Sequence, residues 1–298
     1  MADSERAAKQ GSKRTWGFRI AILLASLVFS FVILELVFRS QVPWSGATPM
    51  RTSEIEGLPY QLRPDFSTLY FGHDVRINKQ GFRGSDVPER DPNVLRVALI
   101  GDSITFGHVA SEDTLANRLT RELEEKGETA EVLNCGVSGY NAAHIAVMLE
   151  QQVLALSPDV VVYICCYNDG PEPGPVDQPE ISPDQVMDIT KAFPFQSAFL
   201  EWGGRRAKAV MRMLNVGSSK GYVAGILDVW NEGGSSRFEA AVQQMNSVCV
   251  DDGVRLVVAF CPPMIHPKAN PYAAIETDVE RICNESNVEF LQLRKAFD

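Results

Sequence analysis

From residue 95 onward, short apolar runs alternate with amphipathic segments of helical periodicity. The apolar runs occupy residues 95–100, 131–134, 159–166, 254–261 and 288–293. The segments between them that predict helices are 114–126, 141–156, 236–250 and 271–284. This β-α-β order predicts a parallel sheet of five strands, because helical crossovers pack back onto the sheet they connect. In such sheets ligands bind beyond the carboxyl ends of the strands.

The N-terminal part of the chain differs in composition from the rest. Residues 20–38 are apolar except for Ser26, Ser30 and Glu35, and about 20 such residues cross the hydrocarbon core of a membrane as a helix. The cations that precede this run are Arg6, Lys9, Lys13, Arg14 and Arg19. The positive-inside rule then predicts a cytoplasmic segment at 1–19, a transmembrane anchor at 20–38 and an extracytoplasmic remainder, periplasmic or at the cell surface. A cleaved signal peptide is the alternative interpretation.

The net charge and the spacing of the cysteines limit which partners and cofactors we expect the protein to bind. The net charge of −10 repels phosphate backbones, so we expect no nucleic acid partner. The six cysteines include no C-x-x-C pair, which disfavours a metal or thioredoxin-like site. We expect no metal or cofactor, and buried free thiols in preference to disulfides.

The rest of the chain divides into a lead-in and a main domain that contains the predicted strands and helices. Residues 39–92 form a lead-in rich in Pro and Gly, and residues 93–298 form the main domain. Segment 171–184 contains five prolines, which disfavour regular structure. We interpret 185–234 as a partly helical excursion that covers a site, and expect Ser235 or Ser236 to cap the next helix.

Three polar positions follow the first three predicted strands. Ser103 comes directly after a strand that ends at Gly101, and a glycine there permits a sharp turn that exposes the hydroxyl. Gly139 follows the second strand and offers a backbone N–H, and Asn168 follows the third and offers a side-chain amide. Acyl transfer needs such a set, an exposed nucleophile beside donors for an oxyanion. Taken singly, each also fits an ordinary turn: a capping Asp-Ser turn, a loop glycine and an Asn-Asp-Gly turn.

These residues also carry a family resemblance. GDSITFG at 101–107 resembles the first conserved block of the SGNH (GDSL-like) hydrolases, NCGVSG at 134–139 the second, and CYND at 166–169 the third, with Cys166 in place of the usual glycine. Residues 77–84 (INKQGFRG) resemble a lead-in of anchored bacterial members. The resemblance implies a flavodoxin-like three-layer α/β/α sandwich with strand order 2-1-3-4-5, preceded by one transmembrane helix. It also implies Ser103 as nucleophile and an oxyanion hole made by the Ser103 N–H, the Gly139 N–H and the Asn168 amide.

The catalytic base is where the sequence departs from the family. The family supplies Asp and His from a D-x-x-H block after the fifth strand, and none of the four histidines follows that strand. His266 is the nearest candidate, although Pro263 stands where the Asp belongs and the segment follows the fourth strand. His108 is a second candidate, while His73 and His144 fit structural or surface positions. We expect a D-x-x-H block to lie beyond Asp298, and the alternative is a degenerate member without turnover.

The resemblance therefore implies an esterase that removes an acetyl or other short acyl group through an acyl-enzyme. The expected substrate is a small-molecule or glycan ester, and the membrane is contacted through the single N-terminal helix. One alternative is an acyltransferase that passes the acyl group from the same serine to a glycan hydroxyl. Another is a binding module that holds a glycan or acyl ligand in a degenerate site.

Overall fold

The computed structural model describes residues 2–41, 48–170, 222–262 and 270–296. Its first element is helix α1, Ala2–Gln41. Within α1, the segment Phe18–Val37 has 20 residues and a mean hydropathy of 2.7, and none of it is buried. A helix of this length and composition can cross a membrane, and a signal sequence near an N-terminus has the same properties. The apolar run at 20–38 is therefore helical, as expected for a membrane anchor or a signal sequence.

The Pro- and Gly-rich lead-in folds into two antiparallel hairpins. Their strands are β1 Met50–Thr52, β2 Tyr60–Leu62, β3 Phe66–Tyr70 and β4 His73–Ile77. After β4, Arg83 forms an antiparallel bridge to Asn134. Its buried guanidinium donates to the carbonyls of Phe106 at 3.0 Å and Val109 at 2.8 Å. The lead-in is thereby tied to the loop that follows the first strand of the main sheet.

The main sheet has five parallel strands. They are β5 Leu95–Gly101, β6 Ala130–Gly136, β7 Val160–Cys165, β8 Arg255–Phe260 and β9 Glu289–Gln292. Their order is β6-β5-β7-β8-β9, which confirms the 2-1-3-4-5 order. In the register of the sheet, Gly101 pairs with Gly136 on one side and Ile164 on the other. The carboxyl ends of β5, β6 and β7 are therefore level with one another.

Helices cover both faces of this sheet. They are α2 Ser103–Phe106, α3 Leu115–Glu125, α4 Ala142–Met148, α5 Tyr222–Val229, α6 Ser235–Asp251 and α7 Ala273–Glu285. Alternate residues of β5 face opposite sides because strand side chains alternate. Val97 and Leu99 pack with Ala116 of α3, whereas Ala98 and Ile100 belong to the larger core that includes α4, α6 and α7. This confirms the three-layer α/β/α sandwich.

Local details differ from the sequence prediction at two helices. The segment predicted as one helix at 141–156 is regular only to Met148, and then continues as a π-helical and a 3-10 turn to Leu156. The predicted serine cap of α6 is wrong. The position before α6 is Gly234, which has no side chain to cap the helix, and Ser235 lies inside the helix, where its hydroxyl donates to Asp278 of α7. Segment 171–184 and the part of the excursion before residue 222 lie outside the described residues.

Candidate active site

Ser103 lies at the carboxyl edge of the sheet as the first residue of α2. The turn that carries it depends on Gly101, which has φ +155°. A Cβ at residue 101 would lie 2.7 Å from the carbonyl oxygen of Ile164 on the neighbouring strand. Because that oxygen belongs to the backbone of the sheet, it cannot move aside. The chain therefore turns sharply here and leaves the Ser103 side chain half-buried at the sheet edge.

Asp102 connects the first and third polar positions. Its Oδ1 accepts from the backbone N–H of Ile104 at 2.8 Å, which caps α2. Its Oδ2 accepts from the Ser103 hydroxyl at 3.2 Å and from the Asn168 side-chain amide at 3.4 Å. Two side chains that share one acceptor oxygen lie close together. The structure thus brings together Ser103 and Asn168, residues separated by most of two β-α units.

Cys166, which stands where related sequences have glycine, holds the Asn168 amide. The Cys166 thiol lies 2.9 Å from Asn168 Oδ1, within hydrogen-bonding distance for a thiol donor. Burial raises the pKa of this thiol well above its ordinary value, with the neighbouring Asp169 adding to the effect, so it stays protonated. Since the amide oxygen of Asn168 accepts this hydrogen bond from the thiol, the NH₂ group of the same amide is turned toward Asp102. All six cysteines are free thiols, as expected.

Asp169 supports the same loop from the core. It is fully buried, and its Oδ2 accepts from the Tyr163 hydroxyl at 2.7 Å and the Cys166 N–H at 3.2 Å. Burial raises the pKa of Asp169 to about 8, and the nearby carboxylate of Asp102 contributes. Candidate ligand atoms of Asp102, Cys166 and Asp169 lie within 4.8 Å of one another. These three side chains already hydrogen-bond to one another and to the surrounding loop. We therefore interpret them as a cluster that stabilises the loop.

We expect Asp169→Asn to reduce the dependence of stability on pH. A carboxyl with a raised folded pKa contributes fully below its unfolded pKa, and the contribution is lost as pH rises through about 8. Each unit between the two pKa values corresponds to about 1.4 kcal/mol. Urea unfolding between about pH 5 and pH 8 should show the wild-type protein losing stability more steeply than the variant. Parallel curves for the two proteins would contradict the assignment of this proton to Asp169.

The second polar position, Gly139, lies in the loop after β6. Gly139 is exposed and has φ +86°, a conformation that glycine adopts at low cost. The preceding carbonyl, that of Ser138, accepts from the Tyr60 hydroxyl at 2.7 Å. A Cβ at residue 139 would collide with that same hydroxyl. The lead-in therefore reaches the candidate site through Tyr60.

The described histidines differ in their relation to the site. His108 Nε2 lies 3.0 Å from the Ser138 hydroxyl, and its ring stacks on Phe71 at 4.1 Å. Burial and, secondarily, the charge of Arg83 lower the pKa of His108, while Asp102 opposes this. His144 completes the capping box of α4, and His73 lies in β4. His266 lies outside the described residues.

Three features of the site had no counterpart in the sequence prediction. They are the Tyr60 contact, the His108–Ser138 pair and the hydrogen bond from Cys166 to Asn168. The first joins residues 78 positions apart and the second residues 30 apart, and no local pattern signals such contacts. The third had a signal, since a thiol had replaced a glycine beside the predicted amide donor.

A groove of about 240 Å³ lies elsewhere, between the lead-in and α3. Its walls include Asn78, Arg83 and Asn134, and do not include Ser103, Gly139 or Asn168. The groove is therefore separate from the edge that carries the candidate active-site residues.

The region that resembles known proteins includes the five-stranded sheet. The solved structures that resemble the chain include an acetyl xylan esterase, AlAXEase, at 16% identity over 68% of this chain and 79% of that one, with a TM-score of 0.39. They also include AlinE4, an SGNH-hydrolase family esterase, at 10% identity over 70% of this chain and 82% of that one, with a TM-score of 0.38. A GDSL-like lipase from Bacteroides thetaiotaomicron VPI-5482 matches at 12% identity over 70% of this chain and 73% of that one, with a TM-score of 0.35. No curated protein matches the chain. The model of the GDSL-like lipase/acylhydrolase family matches residues 99–298, about two thirds of the sequence. The chain belongs to the GDSL-like lipase/acylhydrolase family.

Proposed function

We propose that this protein hydrolyses acetyl or other short acyl esters, with Ser103 as the nucleophile. The observation that carries the proposal is the convergence of the Ser103 hydroxyl and the Asn168 amide on one oxygen of Asp102. This arrangement supports a reaction in which a hydroxyl attacks a carbonyl carbon beside a fixed N–H donor. Membership of a family of ester-cleaving enzymes supports the same chemistry.

In the proposed reaction, the Ser103 oxygen attacks the ester carbonyl and its proton passes to a base. The carbonyl oxygen becomes an oxyanion, which accepts from the N–H groups of Ser103 and Gly139 and from the Asn168 amide. The protonated base returns its proton to the departing alcohol, and water then releases the acyl group from Ser103. Since α2 has only four residues, its dipole contributes little, and the donors on the neighbouring loops carry most of the stabilisation.

His266 is the proposed base, because it comes six residues after Phe260 in the sequence, and Phe260 ends β8 at the same edge of the sheet as Ser103. His108 is the alternative, since its Nε2 lies beside the Ser138 hydroxyl and its lowered pKa keeps it neutral near pH 7. A neutral imidazole is the form that accepts a proton. Glutamine at the true base should lower kcat by roughly 10³-fold or more, and glutamine at the other histidine should leave kcat within a few-fold. Full activity in both variants would exclude both of these histidines as the base.

An exposed Gly139 and a half-buried Ser103 leave this edge open to solvent among the described residues. Such an edge favours a small acyl group on a bulky alcohol, and we propose a glycan of the cell envelope as that alcohol. The apolar helix supports this location if α1 anchors the protein with residues 1–19 in the cytoplasm. Alkaline phosphatase fused after Asp298 and expressed in bacteria should then be active, and an inactive, cytoplasmic fusion would contradict this orientation.

A series of p-nitrophenyl esters and an acetylated glycan test the substrate class. We expect kcat/KM to be highest for the acetyl ester and to fall with each added pair of methylenes. Release of acetate from the glycan should depend on Ser103. Preference for long acyl chains would overturn the assignment to short esters. Formation of an acetylated acceptor in place of free acetate would assign a transferase, and binding without any turnover would assign a binding module.

A further inference from the structure

The peptide unit between Ser138 and Gly139 carries one hydrogen-bond acceptor and one hydrogen-bond donor. Its carbonyl oxygen belongs to Ser138, and its N–H belongs to Gly139. Because a peptide unit is planar and rigid, any contact that fixes the carbonyl also fixes the direction of the N–H. The Tyr60 hydroxyl makes such a contact, donating to the Ser138 carbonyl at 2.7 Å.

Tyr60 is itself held in place. Its ring packs against that of Tyr140 with centroids 5.4 Å apart, and the Tyr140 hydroxyl donates to the Tyr60 carbonyl. Burial, with contributions from Tyr70 and the charge of Asp102, raises the pKa of Tyr60 to about 12. Its phenol therefore remains protonated, and able to donate, at any pH at which an esterase is ordinarily assayed.

We infer that Tyr60 is a positioning residue for the reaction, holding the Ser138–Gly139 peptide so that the Gly139 N–H points at the oxyanion. This inference rests on the proposed function. It goes beyond it because Tyr60 lies outside the region that matches the family, residues 99–298. The N-terminal lead-in therefore completes the site of this chain.

The hydrogen bond acts in two ways. It restricts the rotation of the peptide unit in a loop whose Gly139 is exposed and conformationally permissive. It also polarises the peptide, because a carbonyl that accepts a hydrogen bond makes the N–H of the same unit a stronger donor. Both effects matter most when full negative charge develops on the substrate oxygen. Loss of the contact should therefore affect kcat and not KM.

Tyr60→Phe removes only the hydroxyl. We expect kcat for p-nitrophenyl acetate to fall about tenfold, the effect of one lost hydrogen bond, while KM changes by less than about twofold. Affinity for a boronic acid, which forms a tetrahedral adduct on the serine, should fall by the same factor as kcat. Tyr70→Phe removes another buried lead-in phenol and is the matched control, with both constants near wild type.

Unchanged kcat and boronate affinity in Tyr60→Phe would overturn the inference while leaving the proposed function intact, provided that Ser103→Ala is inactive. Retained activity in Ser103→Ala would instead overturn the proposed function. A change in KM alone would also contradict a positioning role and would place Tyr60 in substrate binding.

A second measurement needs no catalysis. Gly139→Ala introduces a Cβ that collides with the Tyr60 hydroxyl, so it should lower the urea midpoint of unfolding more in wild type than in the Tyr60→Phe background. The backbone strain at φ +86° is the same in both backgrounds and cancels in the comparison. Equal losses in the two backgrounds would show that the hydroxyl does not lie against residue 139, and would remove the basis of the inference.

Discussion

Ser103→Ala is expected to lower kcat/KM for p-nitrophenyl acetate by roughly 10⁴-fold or more, which is the usual result of removing a nucleophile. The hydroxyl is the atom that forms the acyl-enzyme, so no neighbouring donor can replace it. Stability should change little, because the side chain is half-buried and its hydroxyl makes one long hydrogen bond among the described residues, to Asp102 at 3.2 Å. Steady-state kinetics and urea unfolding of the same preparation separate the two effects.

Alanine variants of two other serines show whether the loss of activity is specific to Ser103. Ser111→Ala removes an exposed hydroxyl that donates to the Asp74 carbonyl, and should leave kcat/KM unchanged. Ser138→Ala removes the hydroxyl beside His108, so it tests the serine of this region that contacts a described histidine. It should retain activity within about tenfold. Loss of activity in Ser138→Ala, with Ser103→Ala still active, would move the nucleophile to residue 138.

Asn168→Ala is expected to lower kcat by about 100- to 1,000-fold, the effect of removing one oxyanion donor. The amide donates to Asp102 at 3.4 Å through one N–H, and we propose that its second N–H donates to the substrate oxygen. KM should change much less than kcat, because the charge on that oxygen appears only in the transition state. Stopped-flow measurement of the acylation step with p-nitrophenyl acetate would show whether the loss lies there.

The matched control for this variant is Asn117→Ala. Asn117 also has a side-chain amide that donates a hydrogen bond, in this case to the backbone carbonyl of Ser111, but it lies exposed on α3. Its kcat should equal that of wild type. If Asn168→Ala also kept wild-type kcat, the Asn168 amide would serve only the turn that the sequence Asn-Asp-Gly predicts.

The parts of the fold set by local pattern were predictable from the sequence. The apolar runs and their spacing placed five parallel strands, since helices separate them along the chain. The order of those strands was implied by the family resemblance. The inward positions of the helix predicted at 271–284 also followed from helical periodicity: Ile275, Val279 and Ile282 of α7, and Tyr272 just before it, are all buried. The cap of α6 did not follow, because the Ser235 hydroxyl donates to Asp278 of α7, a distant contact that the local sequence does not encode.

The site was predictable only as far as the strand ends reveal it. Ser103, Gly139 and Asn168 each follow a strand that ends at the same edge, and the motifs that resemble the family singled them out as candidates. Their supporting contacts come from outside that pattern. Tyr60 reaches Ser138 across 78 residues, and Arg83 reaches the Phe106 carbonyl across 23. Such contacts depend on how the lead-in packs against the finished sheet, which no local propensity encodes.

The central claim is that the Ser103 oxygen becomes the acylated atom. Treating the full chain with a serine-directed fluorophosphonate, digesting it and sequencing the labelled peptide by mass spectrometry tests this most directly. The account predicts one adduct, on Ser103, that is absent from Ser103→Ala and slower to form in Asn168→Ala. An adduct on Ser138 or another residue, or no adduct on a protein that hydrolyses acetyl esters, would contradict it.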